Sequence, residues 1–210
     1  MSRKQGNYMN KRVKENFFKQ SKELKVRARS YFKLEQLDKK FNLFEDVTDV
    51  LDLGCAPGGW TEYINKTYPH IKIVGVDVLP IRHVYEFNEN VEFIEDDFND
   101  LEHYVKDRKF DLIISDMAPE FSGVSKIDRG RVHDMNHTTL QMCKKYLREG
   151  GNLAIKSFGG SDLAGVRKVA QKLFKRIKEY KPHSSDQSSP EFFLVCFKRL
   201  SDKEMFEEEK

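Results

Sequence analysis

The stretch Asp49–Trp60 reads DVLDLGCAPGGW. DVLDL is a short apolar run rich in strand formers, and GWTEYINKTY, which overlaps its far end, has helical character. Between them lies a glycine-rich turn. Glycines let a backbone approach a ligand closely, and the first turn of the helix offers unpaired N–H groups. Asp77 ends the next strand-like run, twenty-three residues after Gly54. A carboxylate at that place accepts hydrogen bonds from ribose hydroxyls. Gly54, Pro57, Gly58, Gly59, Trp60 and Asp77 are therefore candidate contacts for a nucleoside cofactor. A dinucleotide fingerprint would read GxGxxG, but Ala56 stands where its second glycine belongs. No GxxxxGK[ST] occurs either. An adenosine without a pyrophosphate, as in S-adenosylmethionine, fits the turn better.

Outward from the turn, the same alternation recurs. IKIVGVDV, VEFI, FDLIIS and NLAIKSF are further β-rich runs, and helical stretches such as LEHYVKD and DRGRVHDMNHTTLQMCKKYLREG separate them. RIKEYKP and EFFLVCFKRL add two strands around the polar loop HSSDQSSP. Strands alternating with helices predict an α/β fold with a mostly parallel sheet of seven strands. Ahead of the first strand, Tyr31, Leu34, Leu37 and Phe41 have helical spacing, with Ser30 placed to cap. Gly150-Gly151 is expected to end the long helix and feed the next strand. The organisation read from this is a basic arm over residues 1–24, one folded domain over 25–200 and an acidic, frayed tail over 201–210.

The chain has 210 residues, 34% of them charged and 39% hydrophobic, enough for one core. Its net charge of +3 hides an asymmetry: residues 1–40 carry thirteen Lys/Arg against four Asp/Glu. A basic arm on a mildly acidic body points to a polyanionic partner. Three scattered cysteines argue against a disulfide framework and for a reducing, cytoplasmic setting. No secretory h-region and no bilayer-length apolar run is present, so no membrane association is expected. HDMNH puts His133 and His137 at i and i+4, but with Asp134 in place of the glutamate of a zincin, and no metal is expected.

Four residues are candidates for chemistry. Asp116 ends the fourth strand and Lys156 the fifth, on the rim where such folds bind ligands. Glu191 opens the last strand after Pro190, and Lys33 lies on the N-terminal helix, which could fold over that rim. Asp97, in FIEDDFND, either accepts from an adenine amino group or caps the following helix with Asp96 and Asp100. Trp60 reads as a cofactor contact or as a core anchor for its helix.

RARSYFKLEQLDKKF, DLGCAPGGW, GVDVLP, DDF, SDMAPEFSG, AIKSF and KPHSSDQSSPEFFLVCF occur in that order. Together they resemble the consecutive motifs of the FtsJ family, the heat-shock-type ribosomal RNA 2′-O-methyltransferases, over roughly residues 25–198. The resemblance implies a Rossmann-like class I methyltransferase fold, with one antiparallel strand and helices on both faces of the sheet. It implies a Lys-Asp-Lys-Glu tetrad at Lys33, Asp116, Lys156 and Glu191. It implies an S-adenosylmethionine site at Gly58, Trp60, Asp77, Asp97 and Asp116, which favours the adenine role of Asp97. The implied substrate is a uridine of large-subunit ribosomal RNA, and a monomer is expected. Met117 in SDMAP resembles the ribosomal branch rather than the tRNA branch, which usually has Gly there. Glu120, Ser157 and Gly159 depart from the family pattern near the rim and leave the exact RNA target open.

The residues suit the implied chemistry. A ribose hydroxyl is a poor nucleophile, so a catalyst must align it and remove its proton. Lys156 does this as general base when neutral, or orients the hydroxyl and stabilises the alkoxide when protonated. The base role is the expectation. Lys11, Arg12, Lys14, Lys19, Lys22, Lys25, Arg27 and Arg29 are the expected contacts to RNA phosphates. The rival readings are a tRNA ribose methyltransferase and a non-catalytic ribosome-assembly or RNA-binding factor on the same fold.

Overall fold

The computed structural model describes residues 24–118, 125–159 and 161–207. In chain order the elements are α1 (Ser30–Phe41), β1 (Asp49–Leu53), α2 (Gly59–Thr67), β2 (Lys72–Asp77), β3 (Val91–Glu95), α3 (Glu102–Val105), β4 (Phe110–Ser115), α4 (Ser125–Tyr146), β5 (Leu147–Phe158), α5 (Ser161–Leu173), β6 (Phe174–Tyr180), β7 (Glu191–Arg199) and α6 (Asp202–Glu207). Short 3-10 turns at Val84–Glu86 and Phe98–Asp100 flank β3.

The seven strands form one sheet in the order β3-β2-β1-β4-β5-β7-β6. β1 to β5 pair in parallel, whereas β7 runs antiparallel to both β5 and β6. The chain builds outward from β1 through β2 to β3, then returns to β4 on the other side of β1. That reversal opens a crevice at the carboxyl ends of β1 and β4, where α/β sheets bind ligands.

Strand alternation divides the core between the two faces of the sheet. Leu51, Leu53, Ile113, Leu153, Ile155 and Leu194 belong to the cluster that also contains Leu140 and Cys143 of α4 and Val166 and Ala170 of α5. Val50, Leu112, Ile114, Ala154 and Phe193 belong to the cluster with Leu34 and Leu37 of α1 and Trp60 and Ile64 of α2. α1 ends where Asn42 turns left-handed (φ 51°) and donates its N–H to the Asp38 carbonyl at 2.7 Å. The Asp38 carboxylate is buried. It accepts from Leu43 N–H and from the hydroxyls of Tyr63 and Tyr68, fixing α1 to α2.

Three boundaries differ from the sequence expectation. Ser30 does not cap α1: Arg29 holds the N-cap position without a side-chain bond, and Ser30 begins the helix. Gly150-Gly151 does not end α4, which stops at Tyr146. The pair instead forms an irregularity in β5, where register steps from Phe110↔Leu147 to Leu112↔Asn152. Gly150 has φ 75° there, and a Cβ on Gly151 would meet the carbonyls of Arg148 and Asp111 at 2.9 Å. Residues after Ser201 are not frayed up to Glu207. Ser201 and Glu204 form a reciprocal capping box, with Ser201 N–H on Glu204 Oε2 at 2.8 Å and Glu204 N–H on Ser201 Oγ at 3.2 Å. Glu204 also pairs with Lys175 of β6 at 2.9 Å.

Leu112 sits fully buried on the central strand β4. Leu112→Ala is expected to destabilise the fold by about 2–5 kcal/mol, from lost burial plus the cavity left behind. Urea denaturation followed by circular dichroism measures this, and a loss under about 1 kcal/mol would mean that the site collapses around the gap.

Candidate active site

The sheet register assembles the site. Ser115 of β4 pairs with Ile155 of β5, so Asp116 and Lys156 follow at the same level of the rim. β7 runs the other way, and its first residue, Glu191, pairs with Phe158. A strand start thereby reaches the rim formed by strand ends. Lys156 pairs with Phe193, two residues beyond Glu191, so all three side chains share one face of the sheet. α1 covers that face and supplies Lys33.

Lys156 Nζ donates to Asp116 Oδ1 at 2.9 Å and to the Asp116 carbonyl. Lys33 Nζ lies 2.8 Å from Glu191 Oε1 and 3.6 Å from the same Asp116 Oδ1. Both lysines are buried, and Lys33 Nζ lies over the Phe193 ring, 5.7 Å from its centre. The four predicted residues thus form one connected cluster. Ser185 joins it, donating from Oγ to Glu191 Oε1 at 2.8 Å. The loop HSSDQSSP, polar in sequence, is partly buried here: Ser184 and Ser185 are both buried. Gln36 of α1 holds it by accepting the N–H groups of His183 and Ser184. Burial works to raise the Glu191 carboxyl. Lys33, the Ser185 hydroxyl and the Lys156 charge outweigh it and hold Glu191 below the usual carboxylate range.

The glycine turn lies beside this cluster. Gly54 has φ 74°, and its N–H reaches the Val76 carbonyl at 2.8 Å. A Cβ on Gly54 would come within 2.2 Å of Met117 Cγ, so the turn packs directly on the residue after Asp116. Gly58, with φ 99°, is the N-cap of α2. Asp77 accepts the N–H of Ala56 at 2.8 Å on one carboxylate oxygen and that of Leu79 at 2.9 Å on the other. Each oxygen keeps a lone pair for a ribose hydroxyl. Next to the turn, Ala56, Pro57, Leu79 and Pro80 line a cavity of about 400 Å³. The close-approach glycines and the free lone pairs of Asp77 suit a nucleoside, and the cavity next to them is large enough to take part of one.

Other predicted residues have different uses. Trp60 is 2% exposed, packs on Phe193 and donates its indole N–H to the Ser30 carbonyl at 2.9 Å. Its side chain is a core anchor, which leaves the backbone N–H as its possible ligand contact. Asp97 caps the turn after β3 by accepting from Asn99 N–H at 2.8 Å through Oδ1. Arg27 is not free for phosphate: its guanidinium is spent on Arg82, His83 and Glu86. Lys25 and Arg29 are exposed, and Lys11, Arg12, Lys14, Lys19 and Lys22 lie outside the described residues. Among the described residues no group of three or more His, Cys, Asp and Glu is placed to hold a metal. All three thiols are buried, and burial pushes each of them up, away from nucleophilic use.

Sequence reading passed over Asp52. It lies on β1 under the glycine turn, 1% exposed, and accepts from Thr61 Oγ1 at 2.7 Å. Burial, with Asp116 and Asp77 adding to it, pushes its carboxyl up to about 7 against the Thr61 bond.

Two pH dependences follow by linkage. Glu191 is lowered in the fold, so its contribution is present above its ordinary value of 4.5 and is lost as pH falls through the lower folded value. The stability gap between wild type and Glu191→Gln should therefore shrink on acidification, and a constant gap would contradict the assignment. Asp52 is raised, so its contribution is full below 3.8 and fades as pH rises toward about 7. Relative to Asp52→Asn, the wild type should lose stability across that interval in denaturant titrations.

The family model for FtsJ-like methyltransferases matches residues 26–199. The ribosomal RNA large subunit methyltransferase E of Pelagibacter ubique is 33% identical over 90% of this chain and 94% of its own length. Its counterpart from Methanocaldococcus jannaschii is 34% identical over 100% of this chain and 88% of its own. Among solved structures, a ribosomal RNA methyltransferase from Plasmodium falciparum superposes with a TM-score of 0.72 at 25% identity, covering 84% of this chain and 100% of that one. Human methyltransferase-like protein 13, solved with SAH, shares the fold at a TM-score of 0.55 and 18% identity, over 79% of this chain and 80% of its own. With its seven-stranded sheet and a family match spanning nearly the whole chain, the protein belongs to the FtsJ-like methyltransferase family.

Proposed function

We propose that this protein transfers a methyl group from S-adenosylmethionine to a ribose 2′-hydroxyl, most favourably that of a uridine in large-subunit ribosomal RNA. The observation that carries the reading is the Lys33–Glu191, Lys33–Asp116 and Lys156–Asp116 cluster on the rim beside the glycine turn. Relatives named as large-subunit methyltransferases over most of their length support the ribosomal substrate. The reading includes action in the cytoplasm, as a monomer, on a ribosomal particle. Gly54, Gly58, the backbone N–H of Trp60 and the Asp77 carboxylate would hold the methyl donor, with Asp97 reaching its adenine through the oxygen not spent on Asn99. When bound, the donor supplies an electrophilic methyl on a sulfonium centre.

The chain's part is alignment and proton removal. Asp116, bonded to Lys156 and next to Lys33, fixes both lysine side chains. Glu191, held by Lys33 and Ser185, fixes the far side. Lys156, once its ammonium has given a proton to solvent, takes the 2′-hydroxyl proton as the oxygen forms its bond to the methyl carbon and the carbon–sulfur bond breaks, its electron pair staying on sulfur. Lys33, tied to two carboxylates, remains the cation that steadies the developing negative oxygen. Exposed Lys25 and Arg29, with the basic residues before them, hold phosphates without reading sequence.

Transfer of labelled methyl from S-adenosylmethionine to large-subunit RNA tests the reading. Lys156→Arg keeps the charge but removes the base, and kcat is expected to fall by roughly 10²–10⁴-fold. Substantial retained activity, or a pH–rate profile with no ionisation lost in that variant, would remove Lys156 from the base role. Label on tRNA alone would shift the substrate, and no label on any RNA would favour the non-catalytic reading.

A further inference from the structure

Arg27 lies six residues before Lys33, yet nearly all its bonds reach the other side of the crevice. Its guanidinium donates to the Arg82 carbonyl, to the His83 carbonyl at 2.7 Å and to Glu86 Oε2 at 2.9 Å. The Phe87 ring lies against it, 4.4 Å from Cζ to the ring centre. Its own backbone N–H donates to Glu62 Oε2 of α2 at 2.7 Å. The side chain is only 11% exposed, although its partner Glu86 is 54% exposed. It also touches the turn: a Cβ on Gly58 would meet Arg27 Cδ at 3.3 Å.

These bonds hold one wall of the candidate cofactor cavity. Leu79, Pro80, Arg82 and His83 line it together with Ala56 and Pro57 of the turn, and Arg27 lines it as well. Among the described residues, the hydrogen bonds that Arg82, His83 and Glu86 accept from distant parts of the chain all come from Arg27. Little of this loop is buried: Leu79 is 62% and Tyr85 78% exposed. A planar fork with several fixed donors can serve two carbonyls and a carboxylate at once, which a lysine ammonium cannot reproduce.

We propose that Arg27 is a positioning residue for the methyl donor: it latches the loop after β2 over the cofactor cavity and ties it to the segment leading into α1. The role rests on the S-adenosylmethionine reading above. It makes Arg27 a determinant of donor affinity, set apart from the RNA-contacting residues around it.

The test uses the full chain. Calorimetric titration with S-adenosylmethionine is paired with RNA binding across a salt series and with steady-state kinetics. Arg27→Lys is expected to raise the donor Kd and KM by about 10-fold, as befits loss of charge-assisted bonds, with kcat and the salt slope of RNA binding nearly unchanged. Glu86→Gln, at an exposed position, keeps both carbonyl bonds and is expected to raise donor Kd by roughly 3-fold, which guards against misfolding of the first variant. An unchanged donor Kd in both variants overturns the latch. So does a reduced RNA salt slope with unchanged donor Kd, which returns Arg27 to the phosphate contacts. Wild-type protein that takes up no S-adenosylmethionine overturns the cofactor reading and the latch together, a result distinct from either.

Discussion

β7 runs against both of its neighbours, and the site depends on that reversal. In a purely parallel sheet the rim carries only strand ends. Here the rim also receives a strand start, Glu191, directly beside the end of β5 and one strand away from that of β4. A slip of one residue in β7 would turn Glu191 and Phe193 to the opposite face. Phe193 prevents this, because it is fully buried, with Trp60 against its ring and Lys33 Nζ over it. The aromatic contact that secures the register therefore also secures the acid that holds Lys33.

That arrangement makes two nearly desolvated ammonium groups tolerable. Each buried cation would be costly alone, but Lys33 and Lys156 share Asp116, and Lys33 has Glu191 as well. The four side chains are formally neutral as a set. Such a network contributes little net stability against an apolar core. What it provides is orientation: each charged atom has a fixed neighbour, and Ser185 and Gln36 extend the fixing to the loop before β7. A lysine at the end of a buried strand is thus accounted for by its partners rather than by exposure.

Much of this was legible in the sequence because it is written in local patterns. The alternation of short β-rich runs with helical stretches gives the seven strands, and Asp116, Lys156 and Glu191 announce themselves as charges at strand ends. What stayed hidden depends on contacts between distant residues. Arg27 looks like its basic neighbours Lys25 and Arg29, and nothing local says that its guanidinium is already bonded to residues more than fifty positions away. Trp60 sits in the glycine turn, but its ring faces inward because the Ser30 carbonyl and Phe193 receive it. Ser185 gave no signal beyond a serine-rich loop, since its partner Glu191 is chosen by how that loop folds back. Ser201-x-x-Glu204 was readable as a capping box, but the acidic residues after it drew attention to charge rather than to spacing.

The turn and the tetrad are not independent parts. Gly54 leaves no room for a methyl group against Met117, and Met117 follows the residue whose carboxylate and carbonyl both bind Lys156. A shift of the turn by the width of one carbon must therefore move the end of β4, and with it the lysine. The same turn is pinned from the other side by Asp77, through the N–H of Ala56. The backbone proposed to bind the donor and the side chain proposed to accept the proton are in this way held by one continuous set of contacts across β2, β1, β4 and β5. In-line transfer is sensitive to displacements of about 1 Å, so under the proposed function the close packing between Gly54 and Met117 matters as much to the geometry as the charges on the rim.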